Sequence, residues 1–122
     1  IPTFLEKDVV DARETYTVMP DGSIDTVFTY RKGSFESERK TLRSTAFVEG
    51  DNGARWGMQF VWPIRADYRI SWLADDYSQV IVGRQKRDHV WIMARTPTIP
   101  DAEYERLVQQ LADWGYDTAK LR

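Results

Sequence analysis

Tyr68-Arg69-Ile70-Ser71-Trp72-Leu73, Tyr77-Ser78-Gln79-Val80-Ile81-Val82-Gly83 and His89-Val90-Trp91-Ile92-Met93-Ala94-Arg95 follow one another closely in the chain. Successive side chains of a strand point to opposite faces, so a two-residue hydrophobic period marks a strand. Tyr68, Ile70 and Trp72 alternate with Arg69, Ser71 and Leu73, and Asp75-Asp76 breaks that run. The β-branched stretch 77–83 forms the next strand. The charged segment from Arg84 to Asp88 is a hairpin tip, and residues 89–95 return. Three short strands with tight breaks read as an antiparallel meander.

The same pattern extends upstream. Tyr16 and Val18 share one face, and Thr15 and Thr17 the other. Met19-Pro20-Asp21-Gly22-Ser23 is a strong turn signal. Ile24, Thr26, Phe28 and Tyr30 then alternate with Asp25, Val27 and Thr29. A polar connection over residues 31–41 leads to a strand from Leu42 to Val48. Glu49-Gly50-Asp51-Asn52-Gly53 turns the chain, and Trp56, Met58, Phe60 and Trp62 alternate with Gly57, Gln59 and Val61 until Pro63. Downstream, the period changes. Tyr104, Leu107, Val108, Leu111 and Trp114 fall on one side of a helix predicted over residues 101–114. Asp101, Glu103 and Glu105 suit its N-terminal dipole, and Gly115 suits the position just past its end. Seven strands and a helix laid on the outside of the sheet give a mostly β fold, an antiparallel up-and-down barrel. Val80, Val82, Ile92 and Ala94 are expected to receive the helix.

Composition narrows the function. The 122 residues hold 17 basic and 19 acidic groups, a formal charge of −2, which argues against nucleic acid as the main partner. No run approaches the roughly 20 apolar residues of a membrane-spanning helix. Cysteine is absent, which excludes disulfides, thiolate catalysis and Cys-based zinc sites. The single histidine, His89, makes a His-rich metal site impossible, and no Gly-x-Ser-x-Gly elbow or Gly-rich phosphate loop occurs. No catalytic residue, metal or cofactor is called for. Asp75-Asp76 has no second catalytic element nearby and reads as a turn. His89 and the basic tip of Arg84, Lys86 and Arg87 read as solvated hairpin residues, as do Arg39, Lys40 and Arg43.

Five Trp, six Tyr and five Phe are the unusual feature. The set expected to point inward is Phe28, Tyr30, Trp56, Met58, Phe60, Trp62, Tyr68, Ile70, Trp72, Ile81, Trp91 and Met93. A large apolar interior edged with hydroxyls suits a pocket for an amphipathic molecule. The same rings could equally fill the barrel.

The stretch from Asp76-Tyr77 through Arg95-Thr96-Pro97 resembles the lipocalin family, most of all the bacterial outer-membrane lipocalins and their apolipoprotein D-like and plant relatives. Asp76-Tyr77 is similar to the end of the family's second signature, with Asp75 where Thr is usual, and Arg95-Thr96-Pro97 to its third. Pro63 followed by Tyr68 also resembles this subgroup. The resemblance implies a calyx whose floor is closed by Arg95, packed in the family against the Trp of a Gly-x-Trp first strand. That strand has no counterpart in residues 1–122, which are taken as a single lipocalin-like domain. The expectation is that an upstream segment supplies it, with any signal and lipid anchor, or that two copies complete each other as a homodimer.

The leading function is non-enzymatic binding and transport of a small hydrophobic ligand. Fatty acids and lysophospholipids are what the resemblance implies, at the periplasm or outer membrane, otherwise secreted. Ligand residues are expected among Phe28, Tyr30, Met58, Phe60, Trp62, Tyr68, Ile70, Trp72, Ile81, Trp91 and Met93. The alternatives are a lipocalin-like enzyme using carboxylates inside the barrel, where only Glu14 is available, and a filled-barrel interaction module.

Overall fold

The computed structural model describes residues 8–50, 52–61 and 64–121, without the side chains of residues 60, 61, 64 and 65. Seven strands run in chain order: β1 (Val9–Val18), β2 (Ile24–Lys32), β3 (Lys40–Glu49), β4 (Arg55–Val61), β5 (Ile64–Leu73), β6 (Gln79–Gly83) and β7 (Val90–Ala94). Each lies beside its sequence neighbour, and the recorded ladders are antiparallel. One helix, α1 (Asp101–Asp113), and a 3₁₀ turn (Thr118–Lys120) follow. The chain forms two compact units, one ending at Tyr68 and the other starting at Arg69.

In the first unit, cross-strand partners share a face, and the pairing builds rows across the sheet. Val18 opposes Ile24, Ile24 opposes Ala46, and Ala46 opposes Met58. Tyr16 opposes Thr26, which opposes Ser44, and Glu14 opposes Phe28, which opposes Leu42. The buried side chains Ile24, Thr26, Ser44, Ala46 and Met58 all lie on this packed face. The other face carries Arg13, Thr15, Asp25, Thr29, Arg43, Thr45 and Gln59 and is polar. A bulge between Val10 and Arg13 puts Asp11 at φ +50. There its carboxylate accepts hydrogen bonds from Arg31 Nε at 3.1 Å and Arg39 at 2.6 Å. The Arg31 bond is the largest cause holding its pKa below the ordinary carboxylate value.

The second unit is organised by the helix. Leu107 and Leu111 are fully buried, and they pack with Ile81, Val90 and Tyr116. Trp72, Ile92, Ile99, Trp114 and Leu121 close around this cluster. Each full burial of such a side chain stabilises by about 1.5–3 kcal/mol. The helix ends as Gly115 predicts. Its φ is +92, Gly115 N–H donates to Ala112 O, and Tyr116 N–H donates to Leu111 O, both at 3.0 Å. That is the Schellman pattern. Tyr116 and Leu111 then meet in the core. The Gln79 side-chain amide donates to Glu103 at 2.5 Å, tying β6 to the first turn of α1.

The strand alternation read from the sequence holds on β2 and β7, and the helix spans nearly the expected residues. Two faces differ. Ile81 opposes Ile92, so both face the helix, whereas Val80 opposes Met93 and Val82 opposes Trp91 on the other side. Val80 and Val82 therefore do not receive the helix. On β5 a register shift between Ile70 and Trp72 changes the parity. Ile70 opposes Val82, but Trp72 opposes Ile81.

Candidate functional site

The packed face of β1–β4 is mostly apolar, with Glu14, Thr26, Ser44 and Lys40 among its positions, and is incompletely covered. Tyr16 is 38 % exposed, Leu42 40 % and Val48 43 %, all on the same face as the buried Ile24, Ala46 and Met58. Phe28 and Tyr30 add stacked rings, with centroids 5.1 Å apart at 20°. Trp56, paired with Val48, lies parallel to Tyr68 at 5.6 Å and meets the Tyr16 ring edge-on at 5.5 Å. The Tyr16 and Tyr68 hydroxyls are hydrogen-bonded to each other. Burial, then the negative charge of Glu14, pushes the Tyr16 hydroxyl above its ordinary pKa of 10.0, against the opposing pull of the Tyr68 bond. Phe28, Tyr30, Met58 and Tyr68 lie in the first unit.

The remaining expected residues separate. Ile70, Trp91 and Met93 lie on the helix-remote face of β5–β7, beside Val80 and Val82. Val82 is 2 % exposed. The sequence reading missed this valine pair, although their alternation with Ile81 carries the signal. Trp72 and Ile81, expected inward, belong instead to the helix-facing core, and Arg106 lies over the Trp72 ring at 5.4 Å. The bulge at Ser71 is the reason for Trp72, and the register with Ile92 is the reason for Ile81. The side chain of Phe60, and Trp62 altogether, fall outside the described residues.

Arg95 is exposed, and its Nε donates to the Tyr77 carbonyl at 2.8 Å. Its backbone N–H donates to Ser78 O at 2.9 Å. Tyr77 has φ +59, and Asp76 accepts from the Ser78 hydroxyl at 2.6 Å and from its N–H at 3.0 Å. These bonds hold the Asp76 carboxyl below its ordinary pKa, the hydroxyl contributing most. The acidic pair is a turn, as read. Asp21 and Ser23 repeat the arrangement at the β1–β2 turn. An open depression of about 470 Å³ beside that turn is lined by Met19, Pro20, Asp21, Ser23, Asp25, Thr45 and Phe47. Asp25, Thr45 and Phe47 belong to the polar face, so this is not the apolar site.

A family profile described as "Lipocalin-like domain" matches residues 1–122. The chain belongs to the lipocalin family. This family binds small hydrophobic ligands, and its members are generally binding and transport proteins. Its fold accounts for the seven antiparallel strands and the C-terminal helix. The chain is similar to temperature-induced lipocalin-1 of Arabidopsis thaliana, 28 % identical over 133 residues, covering 97 % of this chain and 67 % of the relative. It is 26 % identical to the outer membrane lipoprotein Blc of Citrobacter freundii over 116 residues, 95 % of this chain and 66 % of that protein. For Blc of Escherichia coli K12 the identity is 25 %, with 95 % and 66 % covered. This lipocalin chain therefore spans about two thirds of the length of the relatives it matches.

Proposed function

We propose that this lipocalin chain binds and carries a lipid-like hydrophobic ligand, from the range of fatty acids, lysophospholipids and similar amphiphiles, without catalysing a reaction on it. The supporting observation is the β1–β4 face, where Tyr16, Leu42 and Val48 stay more than a third exposed beside a buried apolar row. Apolar side chains left exposed on one face are where a hydrophobic ligand could be covered. Each methylene buried there contributes about 0.8 kcal/mol, so a dozen supply roughly 10 kcal/mol before the cost of immobilising the ligand. Phe28, Tyr30, Met58 and Tyr68 provide the surface on this face. Arg95 serves the Tyr77 turn. An enzymatic reading would need a general acid and a general base. Among the paired positions of the face, Glu14 is the one acid.

By likeness to the Blc relatives, named as outer membrane lipoproteins, the proposed location is the cell envelope. The test of the binding reading is native mass spectrometry of the purified chain. A retained species one lipid heavier than the protein supports it, and stable apo protein that takes up no lipid on incubation overturns it.

A further inference from the structure

The polar face of β1–β3, on the far side of the strands from the apolar one, concentrates arginine. Arg31 Nε and Arg39 Nη2 both bond the same oxygen, Asp11 Oδ2, at 3.1 and 2.6 Å. Two positive charges are thereby held side by side with one carboxylate between them. Arg39 also donates to the Thr29 hydroxyl at 3.2 Å, and Arg31 to the Ser37 carbonyl. Each guanidinium spends two of its five N–H donors on these bonds and is fixed in place with the others to spare. Arg13 stands opposite Thr29, exposed, and forms no ion pair among the described residues. Arg43, opposite Val27 on the same face, has a side chain 68 % exposed and reaches Asp25 at 3.5 Å. Thr15 and Thr41, both exposed, stand beside them. Four arginines thus meet two carboxylates here, in a chain whose formal charge is −2. Glu36 and Glu38 of the adjoining loop are matched in number by Lys32 and Lys40 at its ends.

The planar fork of an arginine fits phosphate oxygens, and a threonine hydroxyl adds a further donor. The face is open rather than a pocket, so what suits it is an array of phosphates that engages several arginines at once. A single-stranded nucleic acid carries such an array, but it also needs rings on which to stack its bases. Tyr16, Phe28 and Tyr30 lie on the other face, and Phe47 lies beside Asp21 and Asp25, toward the β1–β2 turn. We propose that the surface of Arg13, Arg31, Arg39 and Arg43 docks the chain on an anionic phospholipid bilayer. Docking surface and ligand face are opposite sides of the same strands, so the docking and the lipid-carrying reading can fail separately.

The test is co-sedimentation of the purified chain with vesicles of phosphatidylcholine alone and of equal parts phosphatidylcholine and phosphatidylglycerol. Binding is expected to the anionic vesicles, falling as salt is raised, and not to phosphatidylcholine alone. One basic residue near such a surface strengthens binding about fivefold, so Arg13→Gln with Arg43→Gln is expected to weaken it at least tenfold. Both side chains are exposed, and circular dichroism checks that the fold is kept. Lys86→Gln with Arg87→Gln removes the same charge from the exposed tip between β6 and β7 and is expected to change binding less than twofold. Absence of binding to the anionic vesicles, or an equal loss in the two double variants, overturns the proposal. Tighter binding to an oligouridylate than to the vesicles, at equal phosphate, overturns the bilayer as the partner.

Discussion

The Tyr116 ring fills the space that a side chain at Gly83 would need: a β-carbon on residue 83 would overlap the Tyr116 hydroxyl and lie 3.3 Å from its ring carbon Cζ. Tyr116 follows the helix-ending Gly115 and sits 8 % exposed in the core under α1. The bare backbone of β6 is what lets the helix end dock. Gly83→Ala is expected to destabilise by about 1–3 kcal/mol through overpacking. Tyr116→Phe removes the overlapping hydroxyl, so the double variant is expected to lose less than the two single losses added together. Urea midpoints of the four proteins give the coupling. Strict additivity would show that the two residues do not touch.

The Tyr16 hydroxyl links acidity to stability. Its pKa is raised in the folded protein by burial and by Glu14, so the folded state holds its proton where the unfolded chain has released it. The contribution is present below the ordinary Tyr value near 10 and declines as pH rises above it. Wild type is therefore expected to lose more stability between pH 9 and pH 11 than Tyr16→Phe does. Equal losses, read by denaturant midpoints at both pH values, would place Tyr16 in water.

Trp72 and Trp91 report opposite faces. Trp72 lies in the helix-facing core beneath Arg106, whereas Trp91 pairs with Val82 on the remote face. Trp56, which stacks on Tyr68 on the β1–β4 face, is the reporter there, and Trp56→Phe is expected to remove more of the fluorescence change caused by a bound lipid than Trp72→Phe. A change that vanishes in Trp72→Phe alone would return Trp72 to the ligand side.

Most of the fold was legible because two signals agreed. The two-residue period of Ile24, Thr26, Phe28 and Tyr30 placed β2 with its correct face, and the helical stripe with Gly115 placed α1 and its end. What failed was parity near irregular points. Alternation carried through Ser71 puts Trp72 with Ile70, but the register shift there turns it to the helix. Nothing in the composition of residues 68–73 marks that shift. Ile81 was grouped with Trp91, although the β6–β7 register pairs it with Ile92. The length of the hairpin tip sets that register, and a charged tip does not declare where pairing begins.

Arg95 gains a local role. Its bond to the Tyr77 carbonyl holds a residue at φ +59, a conformation unfavourable for a bulky side chain. Arg95→Ala is expected to destabilise by about 1 kcal/mol, reduced from a buried value by solvent exposure. In a thermal melt that is a fall of a few degrees. An unchanged melting temperature would mean the Asp76–Ser78 bonds suffice alone.

Leu42 and Thr41 adjoin in sequence and face opposite ways, Leu42 opposite Phe28 on the packed face and Thr41 opposite Thr29 on the polar one. Both are exposed, so a lysine at either position is compatible with folding. Saturable titration of the chain with a neutral naphthylamine probe, repeated on Leu42→Lys and Thr41→Lys, is the most direct test of ligand binding on the β1–β4 face. The expected result is one-to-one binding by wild type, at least fivefold weaker binding by Leu42→Lys, and unaltered binding by Thr41→Lys. Absence of saturable binding, or equal affinities in the two lysine variants, would contradict it.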